Sequence, residues 1–211
     1  MKTKKIIVLL VLSFIFTFSS NAQTELTAAQ QKEFKSKVQK SARATSSIVS
    51  DFTQTKHLFV LDNVITSEGK LVFKSPNKVR WEYVKPYLNV AIFKGNQLLV
   101  NNEGKRQNID LGSNKMFKSL NSLIVDSIKG DMFDENQFEI TYYSYDDQYL
   151  VKFIPKDKRI KKFIAAFELR FSQDNADVEE VKLIEPNDDY TTITFQNKKL
   201  NTAVADSLFE I

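Results

Sequence analysis

From Asp51 onward the chain alternates apolar and polar residues with a period of two. That period restricts it to strands that are dry on one face and wet on the other. Leu71 and Phe73 alternate with Lys70 and Lys74, and Trp81 and Tyr83 alternate with Arg80 and Glu82. Gly69, Gly95 and Gly104 fall between such runs, where hairpin turns are expected. Residues 138–145, 148–154, 163–171, 178–184 and 191–196 repeat the pattern, with Asp-, Asn-, Gln- and Lys-rich turns between them. Two stretches follow a helical period instead. In the first, Thr27 is an N-cap candidate ahead of Phe34, Val38, Ala42, Thr45 and Ile48. In the second, residues 114–129, Met116, Phe117, Leu120, Leu123, Ile124 and Ile128 form one stripe, and Gly130 ends it. The sum is a mainly β chain of the α+β type, with about eleven strands against two or three helices. No repeat or linker divides it, so one domain is expected over 23–211.

The first 22 residues are set apart. Lys2, Lys4 and Lys5 precede an apolar or hydroxyl run from Ile6 to Phe18, and Ser20-Asn21-Ala22 supplies small residues before a cut. The run is short for a membrane span of about 20 residues. A signal peptide over 1–22, cleaved between Ala22 and Gln23, is therefore expected, leaving a soluble periplasmic protein. The formal net charge is +4, and three of those charges are the leader lysines, so the exported chain is close to neutral. Its basic residues are scattered, which speaks against a nucleic-acid partner. There is no cysteine, hence neither a disulfide nor a diacylated N-terminus of its own.

Nothing in the sequence assembles a catalytic site. His57 is the single histidine and lies within a strand run, a structural position. Five glycines include no phosphate-cradling loop or nucleophile elbow. Asp146-Asp147, Glu179-Glu180 and Asp188-Asp189 read as solvated turns, and Arg80 with Glu82 as a pair on the wet face. The chain is read as a non-enzyme without cofactor or metal.

A sheet of this size curls or splits into a sandwich. If it curls, amphipathic helices can cover its concave face, and the many Phe and Tyr side chains either fill a core or hold open an apolar space. Composition leaves both readings open.

An ordered set of segments resembles the LolA family. It comprises Asp51-Phe52-Thr53-Gln54, then Glu68-Gly69-Lys70-Leu71-Val72-Phe73 before Pro76, then Arg80-Trp81-Glu82-Tyr83 before Pro86. Lys94-Gly95-Asn96, Asp189 to Phe195, Asn201 and Phe209 extend the likeness from about Leu26 to the C-terminus. The resemblance implies a curved antiparallel half-barrel with helices forming a lid over an apolar cavity. It implies a monomeric carrier that accepts acylated lipoproteins from an inner-membrane ATP-driven exporter and passes them to an outer-membrane acceptor. Carried over residue by residue, Phe52, Leu71, Phe73, Val79, Trp81 and Tyr83 are candidates for the lipid-binding concave face. Family members often carry an arginine just before the first proline, bonded to the lid. Here that position is Ser75. A second function class, a lipid- or lipoprotein-sensing module or a carrier of another acylated product such as a glycolipid, uses a similar half-barrel.

Overall fold

The computed structural model describes residues 23–60, 64–111 and 130–211. The expected leader and the expected helix over 114–129 lie outside these residues. Helix α1 spans Ala28–Ala44. Thr27 caps it reciprocally: its hydroxyl accepts from Gln30 N, and Gln30 Oε1 accepts from Thr27 N at 2.9 Å. The capping box satisfies two of the first-turn amides that have no partner inside the helix.

A short β1 (Thr24–Glu25) precedes α1. After it come β2 (Ser47–His57), β3 (Val64–Lys74), β4 (Lys78–Lys85), β5 (Asn89–Lys94), β6 (Gln97–Asn102) and β7 (Lys105–Asp110). The second half supplies β8 (Phe138–Tyr145), β9 (Gln148–Pro155), a one-turn helix α2 (Lys158–Lys161) and β10 (Ala166–Ser172). Then follow β11 (Val178–Ile184), β12 (Tyr190–Leu200) and a 3₁₀ turn at Asp206–Phe209.

Among the described residues twelve strands form one antiparallel sheet, in the order β1-β8-β9-β10-β11-β12-β2-β3-β4-β5-β6-β7. Two meanders, β2 to β7 and β8 to β12, are joined where β12 pairs with β2 over Tyr190↔His57 to Leu200↔Ile48. The sheet is not closed: β1 and β7 are its two edges. The β7 edge is exposed and carries Lys105 and Arg106, charges that discourage pairing with a second chain.

The alternation read from the sequence sorts side chains to the two faces. Leu71, Phe73, Val79 and Trp81 join a cluster on the α1 side, while Val72 and Ile92 pack on the opposite face under Phe209. That outer cluster is covered by the C-terminal segment. Lys74 and Lys78 both bond Asp206, at 2.8 and 2.9 Å, and Arg80 donates to Leu208 O at 3.0 Å. Arg80 and Glu82 pair on this face, as expected, at 3.0 Å. On the inner face Phe34 of α1 sits among Tyr149 and Phe171, with ring centroids at 4.7 and 5.1 Å.

Several boundaries differ from the sequence reading, each for a local reason. The strand count is twelve rather than about eleven because β1, two residues pairing with β8, is too short to show a period. The run at 163–171 begins later, at Ala166, since Asp157 caps α2 by accepting from Arg159 N at 2.7 Å and Phe163 is left exposed. Glu179 and Glu180 are not a turn; they lie inside β11, where Arg170 of the adjacent β10 bonds Glu180 and Gln148 of β9, one strand further on, bonds Glu179. Gly69 likewise lies within β3, whereas Gly95 and Gly104 do occupy turns with positive φ. Ile48 continues the spacing of α1 but lies in the β2–β3 ladder, opposite Phe73. No helix among the described residues is long and apolar enough to cross a membrane.

Candidate functional site

Between the C-terminal half of α1 and the concave face lies a cavity of about 500 Å³. That is mid-range for sites enclosing a whole small ligand, about 300–1,000 Å³. Val38, Ser41, Ala42 and Thr45 of α1 and its C-cap form its roof. The walls are inward rows of successive strands: Leu71 of β3, Trp81 and Tyr83 of β4, Ala91 and Phe93 of β5. On the other side stand Phe153 of β9, then Phe167, Leu169 and Phe171 of β10. Val181 of β11 with Ile193 and Phe195 of β12 complete the circuit. Helix α2 contributes nothing to the wall.

The six concave-face candidates divide into two layers. Leu71, Trp81 and Tyr83 line the cavity. Phe52, Phe73 and Val79 belong to the same cluster but are 1%, 2% and 0% exposed and form packed support behind that wall. Phe52 lies against the Trp81 ring at 4.4 Å and meets Tyr83 edge-on at 5.4 Å. Burial raises the pKa of the Tyr83 phenol, whose hydroxyl donates to Gln54 Oε1 at 2.8 Å. Trp81 Nε1 is buried and has no hydrogen-bond partner among the described residues. Ser75 is exposed in the turn after β3. Its N–H donates to Ser46 O at 2.9 Å, immediately past the end of α1.

The sequence reading missed the half of the wall that comes from β9 to β12. Its signal was present in the run Phe167-Glu168-Leu169-Arg170-Phe171, which alternates as cleanly as β4 does. It also missed Asp177 and Lys198, the two charged residues among the described residues of the lining. Lys198 Nζ donates to Val178 O at 2.6 Å and stands 3.8 Å from Asp177. Burial lowers the Lys198 pKa, against the opposing pull of the Asp177 and Glu179 carboxylates. His57 is a packing residue, stacked on Tyr190 of β12 at 4.3 Å. No group of three or more metal-ligating side chains converges among the described residues.

An open antiparallel sheet curved around an apolar cavity, roofed by one long helix, defines the half-barrel class of fold. Residues 43–211 match the family described as outer membrane lipoprotein carrier protein LolA, and the chain belongs to that family. An uncharacterized conserved protein of Thermus thermophilus has a similar structure, with TM-score 0.52 and 9% identity over 85% of this chain and 92% of that one. A LolA-superfamily protein of Nitrosomonas europaea gives 0.47 and 11%, over 85% and 97% of the two chains. The Mycobacterium tuberculosis lipoprotein LppX gives 0.47 and 10%, over 85% and 99%. At such identities the likeness is one of fold alone. No curated protein matches the chain.

Proposed function

We propose that this protein is a periplasmic carrier that shields the acyl chains of lipoproteins and ferries them from the inner to the outer membrane. Carriers of the family are not enzymes. The observation that supports the reading is the cavity itself, about 500 Å³ walled almost wholly by apolar side chains inside a LolA-family fold. Each buried methylene is worth about 0.8 kcal/mol, so a long acyl chain left in water costs roughly 12 kcal/mol. A carrier has to recover much of that energy, yet bind loosely enough to release. In this role the chain is a single domain over 23–211, cleaved after Ala22 and working as a monomer. It takes cargo from an inner-membrane ATP-driven exporter and yields it to an outer-membrane acceptor. Leu71, Trp81 and Tyr83 touch the acyl chain, while Phe52, Phe73 and Val79 hold them in place.

The test is to express the full chain with its leader, recover it from the periplasmic fraction and extract it for mass spectrometry. A mature chain starting at Gln23 with an acylated species bound in stoichiometric amount is expected. Titrating the delipidated protein with a synthetic triacyl-lipopeptide should shift Trp81 emission saturably. A protein that carries no acylated species and shows no such response is not a carrier.

A further inference from the structure

The cavity is not uniform along its length. Apart from Trp81 and Tyr83, the polar residues of the described lining, Ser41 and Thr45 at the end of α1 together with Asp177 and Lys198, gather at one end. This is the end where β12 meets Ile48 of β2 and where β10 turns into β11. Toward the other end the wall is aromatic, with Phe153 opposite Phe167 in the β9–β10 ladder.

Two β-bulges create the polar end. In β12 the register shifts between Gln196 and Lys199, and Asn197 takes a φ of +53°. Before the shift the odd-numbered Ile193 and Phe195 face the cavity; after it the even-numbered Lys198 and Leu200 do. In the adjacent pair, Arg170 is opposite Glu180 but Phe171 is opposite Val178. That shift brings Val178 to the wall as well as Val181. Bulges re-aim side chains, and here two neighbouring strands are re-aimed at one place. Without the β12 bulge Lys198 would point outward.

A lysine turned into an apolar cavity loses hydration, which must be replaced by hydrogen bonds. An ammonium has three donors. Lys198 makes one hydrogen bond among the described residues, to Val178 O; at 3.8 Å the gap to Asp177 is an ion pair without a hydrogen bond, so two of the three donors remain for another acceptor. An ion pair serving only stability would close that gap, and an apolar side chain would pack better still.

We infer that Lys198, with Asp177 beside it, is the head-group subsite of the cavity: its Nζ donates to the carbonyl or carboxylate oxygen that ends a long acyl chain. The hydrocarbon then runs from this end across Leu71 and Trp81 toward Phe167. The inference rests on the carrier reading and specifies what part of the cargo is recognised. Asp177 keeps the subsite electrically balanced when no head is present, so an ester carbonyl and a carboxylate are both acceptable partners. The two arise from an acylated glycerol and from a free fatty acid.

The experiment compares the delipidated full-length mature protein with K198M and K198R. Palmitic acid, monopalmitoyl glycerol and hexadecane delivered from cyclodextrin are each titrated against Trp81 emission. For K198M, affinity for the oxygen-bearing ligands should fall about tenfold relative to hexadecane, the low end of what a charge-assisted hydrogen bond contributes. K198R should retain most of it. Loss confined to palmitic acid assigns the subsite to free carboxylates; loss on both ligands assigns it to acyl carbonyls in general. K198M preserves the alkyl stem, and a melting temperature at or above that of the parent shows that the cavity is intact. K198M binding all three ligands like the parent overturns the subsite and leaves the carrier reading standing. A parent protein that binds none of the three overturns both.

Discussion

Gly69 shows how closely one residue controls the cavity wall. It sits opposite Phe52 in the β2–β3 ladder, beside a register shift in β3 against β4. A Cβ built there would lie 2.2 Å from Phe52 Cζ and 2.3 Å from Glu82 O. The ring could swing away, but the carbonyl belongs to the neighbouring strand and cannot. Gly69→Ala should therefore destabilise by about 3 kcal/mol, the upper part of the overpacking range. It should also disturb Trp81, since the displaced Phe52 ring is the one Trp81 leans on. Gly95 offers the contrast: nothing lies within 4 Å of its Cβ position, and only its φ of +60° disfavours a side chain. Gly95→Ala should cost about 1 kcal/mol. Urea titrations of the two variants check the order, and equal midpoints would mean that β3 and β4 separate freely at Gly69. Neither the Gly69 packing nor the supporting role of Phe52 was legible in the sequence. Both depend on which side chain crosses over which backbone in a neighbouring strand, and alternation reports only the face a residue points to.

At the level of elements, the C-terminal segment behaves as a strap across the outer face. Phe209 is its apolar anchor over Val72 and Ile92, and Asp206 its polar one between Lys74 and Lys78. Hydrogen bonds from those two lysines hold the Asp206 carboxyl down from 3.8 to about 2. A carboxyl whose folded pKa is depressed stabilises above its unfolded value and loses that contribution as pH falls through the folded one. The strap should thus fray between about pH 4 and pH 2, with Phe209 still seated. Hydrogen exchange of residues 202–211, taken relative to the intrinsic rate at each pH, should rise over that window in the parent. In Asp206→Asn it should be raised already at neutral pH and show a weaker response to acid. An identical pH response in the variant would locate the sensitivity elsewhere. Elements with a sustained period were legible from the sequence: the Thr27 cap, the strands at 138–145 and 178–184, and the face carrying Trp81 and Tyr83. The polar end of the cavity was not. Extending the Ile193–Phe195 alternation sends Lys198 outward, and the bulge that reverses it is a property of the β12–β2 pairing, which no local pattern encodes.

For the whole molecule, the cavity has to be kept open against the tendency of interiors to close-pack. The continuous order of two meanders, with β12 against β2, fixes the walls at opposite sides of α1 by backbone pairing rather than by side chains meeting in the middle. Large rings braced from behind, such as Trp81 on Phe52, cannot collapse inward. The cavity should consequently be an energetic liability, and filling it should stabilise the fold. Ala91, opposite Trp81 in the β4–β5 ladder, and Val181, opposite Ile193 in the β11–β12 ladder, are the positions at which added bulk enters empty space. Ala91→Phe and Val181→Phe should each raise the melting temperature by about 2–4 °C, the shift that about 1 kcal/mol gives a chain of this size. Each should weaken binding of a long-chain acyl ligand at least about tenfold, because the new ring occupies the volume the chain needs. In an ordinary packed core the same substitutions would overpack and lower stability by about 1–3 kcal/mol. Thermal melts and acyl-ligand titrations on the same two variants therefore separate a held-open cavity from a filled core: stability up with binding down supports the first, and stability down in both variants supports the second.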